Sequence, residues 1–559
     1  MAEPVSNFDY AIVRLTLAEL DDQDNPAKSK PGIGVDTNFI IASSMSFAIN
    51  SIPTATVSVP LGSELQVYSV YKSWVYNELK DAIEKRRAYG IYATIHLKDR
   101  CGYYTPKGNK EAKHPLGRLC LFRGYITSIG LNLQHGRGKA EVGLTHWLTD
   151  LDSFSVLNPL SAPDNSLDVS MDRSMETTMG EGNSMKTTRG KTGWIPGIDA
   201  QAVVSASSTV WEAIRILLTK ALQENTKTPD IAGGLNPELH KKVEYILGTS
   251  EGSNRGVIDG TNSKPAANLD MMDKAISGSI GKVLSEQVRS EYYSITVWQK
   301  LVSSLLPQFY LSLLPTVDGA LIVPDPGLTC DDTKELTTIT ANQTTSVQYN
   351  KSRDSLVSGM VLIAPDGITK ARGSGSFLSR FQYPKPERRS IGSIKAAYMP
   401  QWLSSAYQIK STLQPSGTVS LDSISSKSEQ KPAVPSNPIA GLCKAWVKGA
   451  YVNEVTKGNR VTVTTVFNPW FRLGDFVKIE AGQDILTEKE PLVLYGIIQS
   501  ITHTLDQNNL TTTMSISNVR DEAMQKSLPI LKGVLYDVQQ VDGKLFYKEE
   551  WDGEEFNSH

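Results

Sequence analysis

Short runs in which apolar and polar residues alternate dominate both ends of the chain. From Thr54 to Val59, Ala55, Val57 and Val59 fall on one face and Thr54, Thr56 and Ser58 on the other. Side chains two apart share a face of a strand, so this pattern predicts a half-buried β-strand. Ile91 to Leu97 repeats it, with Ile91, Ala93, Ile95 and Leu97 inward. Between these runs Trp74, Leu79, Ile83 and Arg86 stand at helical spacing and predict a helix over Trp74 to Arg87. A strand around Leu121 to Leu133, a turn at Gln134 to Gly138 and a strand around Ala140 to Leu148 predict a hairpin. Towards the other end, strands are predicted at Arg460 to Phe467, Phe476 to Glu480, Leu492 to Ile501 and Leu510 to Val519. The last places Leu510, Met514 and Ile516 against Thr511, Thr513, Ser515 and Ser517.

The middle of the chain is mixed. The stretch from Met171 to Gly190 is rich in Ser, Thr, Gly and Met without a sustained apolar face, and reads as a long loop or arm. Two helices open in nearly the same words, Thr209-Val210-Trp211-Glu212 and Thr296-Val297-Trp298-Gln299. Each fits a capping box, in which Thr caps the third amide and Glu or Gln reaches back. Pro307 ends the second run, and Asp318-Gly319 then marks a hairpin turn between two apolar stretches. Ser411 to Ser436, rich in Ser and Pro, reads as a linker or exposed excursion.

One pattern recurs. Phe122-Arg123-Gly124-Tyr125-Ile126-Thr127-Ser128-Ile129 and Leu494-Tyr495-Gly496-Ile497-Ile498-Gln499-Ser500-Ile501 both read apolar-x-Gly-x-Ile-x-Ser-Ile, 372 positions apart. Each continues as a strand, makes a polar turn and returns as an alternating strand. Gly124, Ile126 and Ser128 are therefore taken as the structural counterparts of Gly496, Ile498 and Ser500. This predicts two related β-barrel-like modules, one at each end. The expected fold is mainly β with an α+β middle region, two tube-like β-barrel domains and inserted mixed segments. Its divisions fall at 1–158 for the first module, 159–290 for a loop-rich and helical insertion, and 291–436 for an α+β middle domain. The second module spans 437–525, and a tail spans 526–559.

Composition narrows the function. At roughly 100–200 residues per domain, 559 residues hold three to five domains. With 40 % hydrophobic and 21 % charged residues, the chain has enough apolar material for folded cores. A net charge of −2, from 57 basic and 59 acidic residues, argues against a dedicated nucleic-acid binder. Four cysteines, Cys101, Cys120, Cys330 and Cys443, are too few for a disulfide scaffold. No basic, apolar leader opens the sequence and no window of 18 apolar residues occurs, so a soluble protein of a reducing cytoplasm is expected.

Catalytic and metal signatures are weak. HExxH and the P-loop pattern are absent. Gly248-Thr249-Ser250-Glu251-Gly252 matches GxSxG, but Ser253-Asn254-Arg255-Gly256 follows where a nucleophile elbow needs a helix. His96, Cys101, His114 and Cys120 fall close together without the spacing of a common zinc site. His146 shares a strand face with Val142, Leu144 and Leu148 and reads as a core histidine. Asp325, Asp331 and Asp332 read as turn residues and solvated charges, and Lys385-Pro386-Glu387-Arg388-Arg389 as a solvated loop. No catalytic residue, metal ligand or cofactor is assigned.

Several blocks carry a family resemblance. Asn50-Ser51-Ile52-Pro53-Thr54-Ala55 and Phe122-Arg123-Gly124-Tyr125-Ile126 resemble strands of the first domain of central baseplate hub proteins from contractile phage tails and related injection systems. That group includes the hub portion of type VI secretion spike proteins. Trp298 to Leu306 with Val317-Asp318-Gly319-Ala320-Leu321 resembles their middle element. Phe471 to Val477, with Leu473 where proline is common, and Tyr495-Gly496-Ile497-Ile498 through Ser515 to Arg520 resemble the closing strands. The resemblance implies a non-enzymatic homotrimer that caps a sixfold tail tube and receives a threefold central spike. DNA or an effector would pass transiently through its axial channel. It also implies tape-measure and other baseplate proteins as neighbours, assembly in the bacterial cytoplasm, a place in the virion tail baseplate and no membrane insertion. The segment from Gly533 to His559 would be a contact with the spike or its neighbours. Two other readings stand beside it: a tail-associated cell-wall hydrolase carried by the middle insertions, and a receptor- or carbohydrate-binding tail protein using some of the nine tryptophans and 21 tyrosines.

Overall fold

The computed structural model describes residues 10–20, 38–39, 42–63, 77–97, 118–134, 137–152, 155–157, 174–179, 185–190, 198–199, 295–317, 319–328, 337–351, 357–363, 382–384, 393–398, 438–483, 491–506, 510–528, 538–541 and 544–547. The first strands are β1 (Tyr10–Glu19), β2 (Asn38–Phe39), β3 (Ala42–Ala48), β4 (Thr54–Ser63), β5 (Ala88–Leu97), β6 (Arg118–Gln134) and β7 (Arg137–Thr145). There follow β8 (Ser155–Leu157), β9 (Ser174–Met179), β10 (Met185–Gly190), β11 (Ile198–Asp199) and β12 (Ile295–Thr296). The middle supplies β13 (Leu311–Pro315), β14 (Ala320–Pro324), β15 (Thr337–Ile339), β16 (Thr344–Asn350), β17 (Val357–Ile363), β18 (Gln382–Tyr383) and β19 (Ser393–Tyr398). The chain ends with β20 (Arg460–Val466), β21 (Phe476–Gln483), β22 (Pro491–Leu505), β23 (Leu510–Asp521), β24 (Val538–Val541) and β25 (Lys544–Tyr547).

The alternating runs become strands where the sequence places them, because burying one face of each satisfies the period-2 pattern. Ala55, Val57 and Val59 are buried on β4 and Tyr89, Ile91 and Ala93 on β5. Residues 77–84 are helical, with Leu79 and Ala82 buried. Trp74 and the helix predicted after Thr209 lie outside the described residues.

A 13-stranded sheet joins the two ends of the chain, in the order β16-β20-β23-β22-β3-β4-β7-β6-β5-β1-β2, with β21 and β15 added beside β22. Its path is open, and no closed barrel forms among the described residues. The expected pair of separate barrels is instead one mainly antiparallel sheet with few helices. The physical reason is the length of β22. Its first half pairs with β21, from Phe476↔Ile497 to Gln483↔Pro491. Its second half is left free to pair with β3, from Ser500↔Ala48 to Leu505↔Ser43. Buried residues from both ends then form a single core, in which Met45, Phe47, Val57, Val142, Val463, Ile501, Met514 and Ile516 lie together.

Elsewhere the structure departs from the sequence reading in three ways. The Met-rich stretch holds a hairpin, β9 with β10 in register from Met185↔Met179 to Gly190↔Ser174. A two-stranded ribbon closes on backbone hydrogen bonds and needs no sustained apolar face. A 19-residue helix, Pro438–Thr456, precedes β20 in a span of the second module for which the sequence reading names no element. It docks through Tyr310, whose hydroxyl donates to the Trp446 carbonyl at 3.0 Å and whose ring lies 4.3 Å from the indole. Gly449 permits this approach, since a Cβ there would stand 3.0 Å from the Tyr310 ring. Leu510, expected in the core, is 39 % exposed at the hairpin mouth, and Thr512 occupies the core face beside it.

The capping box at Thr296 forms: the Gln299 amide donates to Thr296 Oγ1 at 3.1 Å, and the Thr296 amide donates to Gln299 Oε1 at 3.4 Å. The turn that follows widens to a π-helix over Lys300–Leu305 and tightens to a 3-10 turn at Leu306–Phe309, where Pro307 sits. β8, β11 and β12 make a small sheet that brings residues 155–157, 198–199 and 295–296 side by side. The β13–β14 hairpin closes around Gly319, whose carbonyl accepts from Thr316 N at 2.8 Å.

Candidate functional site

The two faces of the central strands differ in kind. One face is the apolar core. On the other, a row runs straight across seven strands: Ser346, Thr464, Thr513, Thr502, Ser46, Thr54 and Thr145, each facing the next in register. Every member carries a hydroxyl. A second row, Thr511, Thr504, Ser44, Thr56, Gly143 and Ser128, runs beside it. These side chains are half-buried or exposed. Neighbours bond across strands, Thr464 with Thr513 at 3.3 Å and Thr502 to Ser46 at 3.4 Å. Such pairs add modestly to sheet stability.

Charge on this face is sparse and mostly compensated. On β7, Lys139 lies 2.8 Å from Glu141, and Arg460 stands at the end of β20. Among the described residues this face is therefore wettable and sparsely charged. Sequence reasoning finds the Thr and Ser positions strand by strand, yet not that they align into rows, because the rows exist only once β22 pairs with β3.

The predicted repeat positions fall on β6 and β22. In the first hairpin Ile126 faces Leu144, Thr127 bulges, and Ser128 faces Gly143. In the second Ile498 faces Ile516, Gln499 bulges, and Ser500 faces Ser515. Tyr125 faces Thr145 and Ile497 faces Ser517, so the offset of 372 holds on both strands of the hairpin. Gly124 and Gly496 meet the same obstacle. A Cβ on Gly124 would lie 2.3 Å from the Thr145 carbonyl oxygen, and one on Gly496 would lie 2.9 Å from that of Ser517.

The correspondence extends outward. β4 pairs with β7 through Val57↔Val142, and β20 pairs with β23 through Val463↔Met514. β5 meets β6 through Tyr89↔Gly124, and β21 meets β22 through Val477↔Gly496. β3 and β16 flank β4 and β20 in the same sense, Ser43↔Val57 answering Val347↔Val463.

Other candidate residues take structural places. His96 sits on β5 and Cys120 on β6; Cys101, His114 and the GxSxG segment lie outside the described residues, as does the basic run from Lys385 to Arg389. No group of three His, Cys, Asp or Glu side chains that would hold a metal occurs among the described residues. His146 is buried beneath the edge of Phe122, ring centroids 6.3 Å apart, and its Nδ1 accepts from Leu148 N at 3.3 Å. Asp325 is a turn residue, as expected, but not a solvated one. Its Oδ1 accepts from Gly327 N at 2.9 Å, and burial raises its carboxyl above the ordinary range. His503, which sequence reasoning passes over, is buried on the core side of β22 with Nδ1 2.9 Å from Thr512 Oγ1 and Phe467 edge-on at 5.2 Å. Burial lowers it to about 4, so it is neutral at neutral pH.

No family model matches the chain, and no curated protein matches it. Among solved structures, a tail protein from Neisseria meningitidis MC58 is 8 % identical with a TM-score of 0.41, over 91 % of this chain and 97 % of its own. The 43 kDa tail protein of prophage MuSo2 from Shewanella oneidensis is 9 % identical with a TM-score of 0.38, over 90 % and 96 %. The E. coli c3393 protein, a component of the type VI secretion system, is 8 % identical with a TM-score of 0.28, over 85 % and 73 %.

Proposed function

We propose that the chain is a structural baseplate hub of a contractile phage tail or related injection machine. Three copies place six β-modules around one axis, so that a sixfold tail tube stacks on one side and a threefold spike on the other. The observation that carries this reading is the doubled module: two sets of strands in the same order and register, joined edge to edge in one sheet. A chain with two such modules converts a threefold assembly into a sixfold surface without a second gene product.

The hydroxyl rows supply the channel lining in this reading. Phosphate backbones bind where Lys and Arg cluster and release counterions. A surface of Ser and Thr with paired charges holds water without gripping a polyanion, which suits passage. The chain then acts through shape and assembly rather than catalysis, in the tail baseplate, with the tube, spike and adjoining baseplate proteins as partners. The modules comprise the strands of 1–158 and 437–525, with β15 and β16 added from the middle region, and the segment from Gly533 contacts the spike or its neighbours.

Sedimentation velocity on the full chain, alone and mixed with tube and spike proteins from the same source, tests the proposal. A trimer, alone or on mixing, is expected. A chain that stays monomeric with both partners present overturns it.

A further inference from the structure

The seam inside the chain specifies how one copy meets the next. In the second module, the far half of β22 lies beyond the end of β21 and takes β3 as its partner, with Ile501↔Phe47, Thr502↔Ser46, His503↔Met45 and Thr504↔Ser44. The first module has the same construction, but no described strand takes the partner's place. β5 pairs with β6 only as far as Ala88↔Tyr125, and from Ile126 onward that edge of β6 pairs with nothing among the described residues. At the other end of the sheet, β16 pairs with β20 alone among the described strands. β16 is the counterpart of β3, and it presents Thr345, Ser346, Gln348 and Asn350 as exposed.

We propose that the free half of β6 in one copy pairs with β16 of a second copy of this chain, repeating the β22–β3 seam between molecules. Transferring the register of that seam through the module correspondence sets Gly130 opposite Asn350, Leu131 opposite Tyr349 and Asn132 opposite Gln348, antiparallel. The two strands are not paired within this copy, where they stand seven strand spacings apart along the sheet, about 34 Å of contour at roughly 4.8 Å per strand.

Burial on the two edges argues for the same occupant. Ile501 and His503 are 3 % and 6 % exposed beneath Phe47 and Met45, whereas Leu131, the counterpart of His503, is 46 % exposed. Tyr349 and Val347 on β16 are half-buried against the core, positioned as Met45 and Ser43 are on β3. A second copy would lay Tyr349 beside Leu131 as Met45 lies beside His503. It would also cover two strand edges that no described strand pairs with, and open edges invite unselective association. Each copy offers one edge of each kind, so the contact is head-to-tail and generates a ring or an open filament. The polar face would continue across it, since Gly130, Asn132, Ser346, Gln348 and Asn350 lie on that face.

The inference deepens the hub reading and rests on it. Its test is the full chain carrying Leu131→Cys and Tyr349→Cys, oxidised mildly and run without reductant, with the native mass measured separately. A ladder of cross-linked copies ending at the native oligomer is expected. A pair shifted by one residue, Leu131→Cys with Gln348→Cys, should cross-link weakly because the two thiols face opposite sides, and the unmodified chain controls for its native cysteines. Leu131→Lys should weaken assembly at least about tenfold with the monomer's melting temperature unchanged, because it removes apolar burial made only between copies. An oligomer of unchanged mass without the cross-link, or with equal linking of the shifted pair, overturns this contact and leaves the hub reading intact. A chain that stays monomeric by native mass beside its tube and spike partners overturns both.

Discussion

Ser500 on β22 lies directly opposite Ala48 on β3, at the point where strands from the two ends of the chain become neighbours in one sheet. Beyond this pair the seam carries Thr502 against Ser46 and His503 against Met45. It makes the modules share a core, and a shared core should melt as a unit.

Breaking the seam is expected to uncouple that unit. Ser46→Pro removes a backbone donor from the middle of β3, between β4 and β22, at a cost of about 3 kcal/mol or more. Calorimetry should show a lower melting temperature for the transition shared by the two modules, or its splitting in two. A transition identical to the parent's would show that the seam carries no stability.

The two repeated glycines should be intolerant of a methyl group and a nearby one should not. Gly124→Ala and Gly496→Ala drive a Cβ into carbonyl oxygens of the facing strand, which should destabilise by about 1–3 kcal/mol each. Gly130→Ala meets nothing closer than 3.8 Å and should be near neutral. Urea midpoints for the three variants decide the matter; equal midpoints would contradict the close approach.

Acid should weaken the core through His503. Its folded value of about 4 lies below the ordinary 6.5, so between these limits the unfolded chain binds the proton first. Stability is then full above about pH 6.5 and declines as pH falls towards 4, by about 3 kcal/mol in all. Asp475 runs the other way. Burial raises it to about 6, so its contribution falls as pH rises from 3.8 towards 6. The clean readout is therefore a comparison. With Asp475 opposing it in the parent, removing the histidine in His503→Gln should make the variant gain stability relative to the parent as pH falls from 6.5 to 4, by about 3 kcal/mol, and equal slopes would count against the assignment.

Asn50 should matter twice over. It holds a positive φ of 57°, and its side-chain oxygen accepts from Leu313 N at 2.7 Å while its own amide donates to Leu313 O at 2.9 Å. Asn50→Gly keeps the backbone geometry and loses only the side-chain bond, whereas Asn50→Ala loses both. The expected order of thermal stability is Asn50, then Gly, then Ala, with the last down by about 1–3 kcal/mol. An alanine variant as stable as the glycine one would remove the backbone argument.

Arg520 gives a similar tie at the far end of β23. It is fully buried, with Nη2 donating to Gly327 O at 3.0 Å and Nη1 to Gln525 Oε1 at 3.4 Å. Arg520→Ala should cost about 3 kcal/mol or more, through lost packing and the loss of both hydrogen bonds. Faster proteolysis near residues 325–328 would mark where the tie is lost, and an unchanged melting curve would refute it.

Local pattern in the sequence determined a good deal of this protein. Ala55, Val57 and Val59 had to turn inward together, Thr296 and Gln299 had to cap one another, and the two Gly-x-Ile-x-Ser strands had to fold alike, because period, capping chemistry and hairpin length are properties of neighbouring residues. Tertiary structure alone decided that β3 is the partner of β22. Strand edges pair through backbone groups that every residue carries, so nothing in Ser46 or Thr502 names the other across more than 450 positions. That one pairing merged two expected barrels into a sheet and aligned the hydroxyls into rows. It also left β6 and β16 as the matching edges of an unfinished seam.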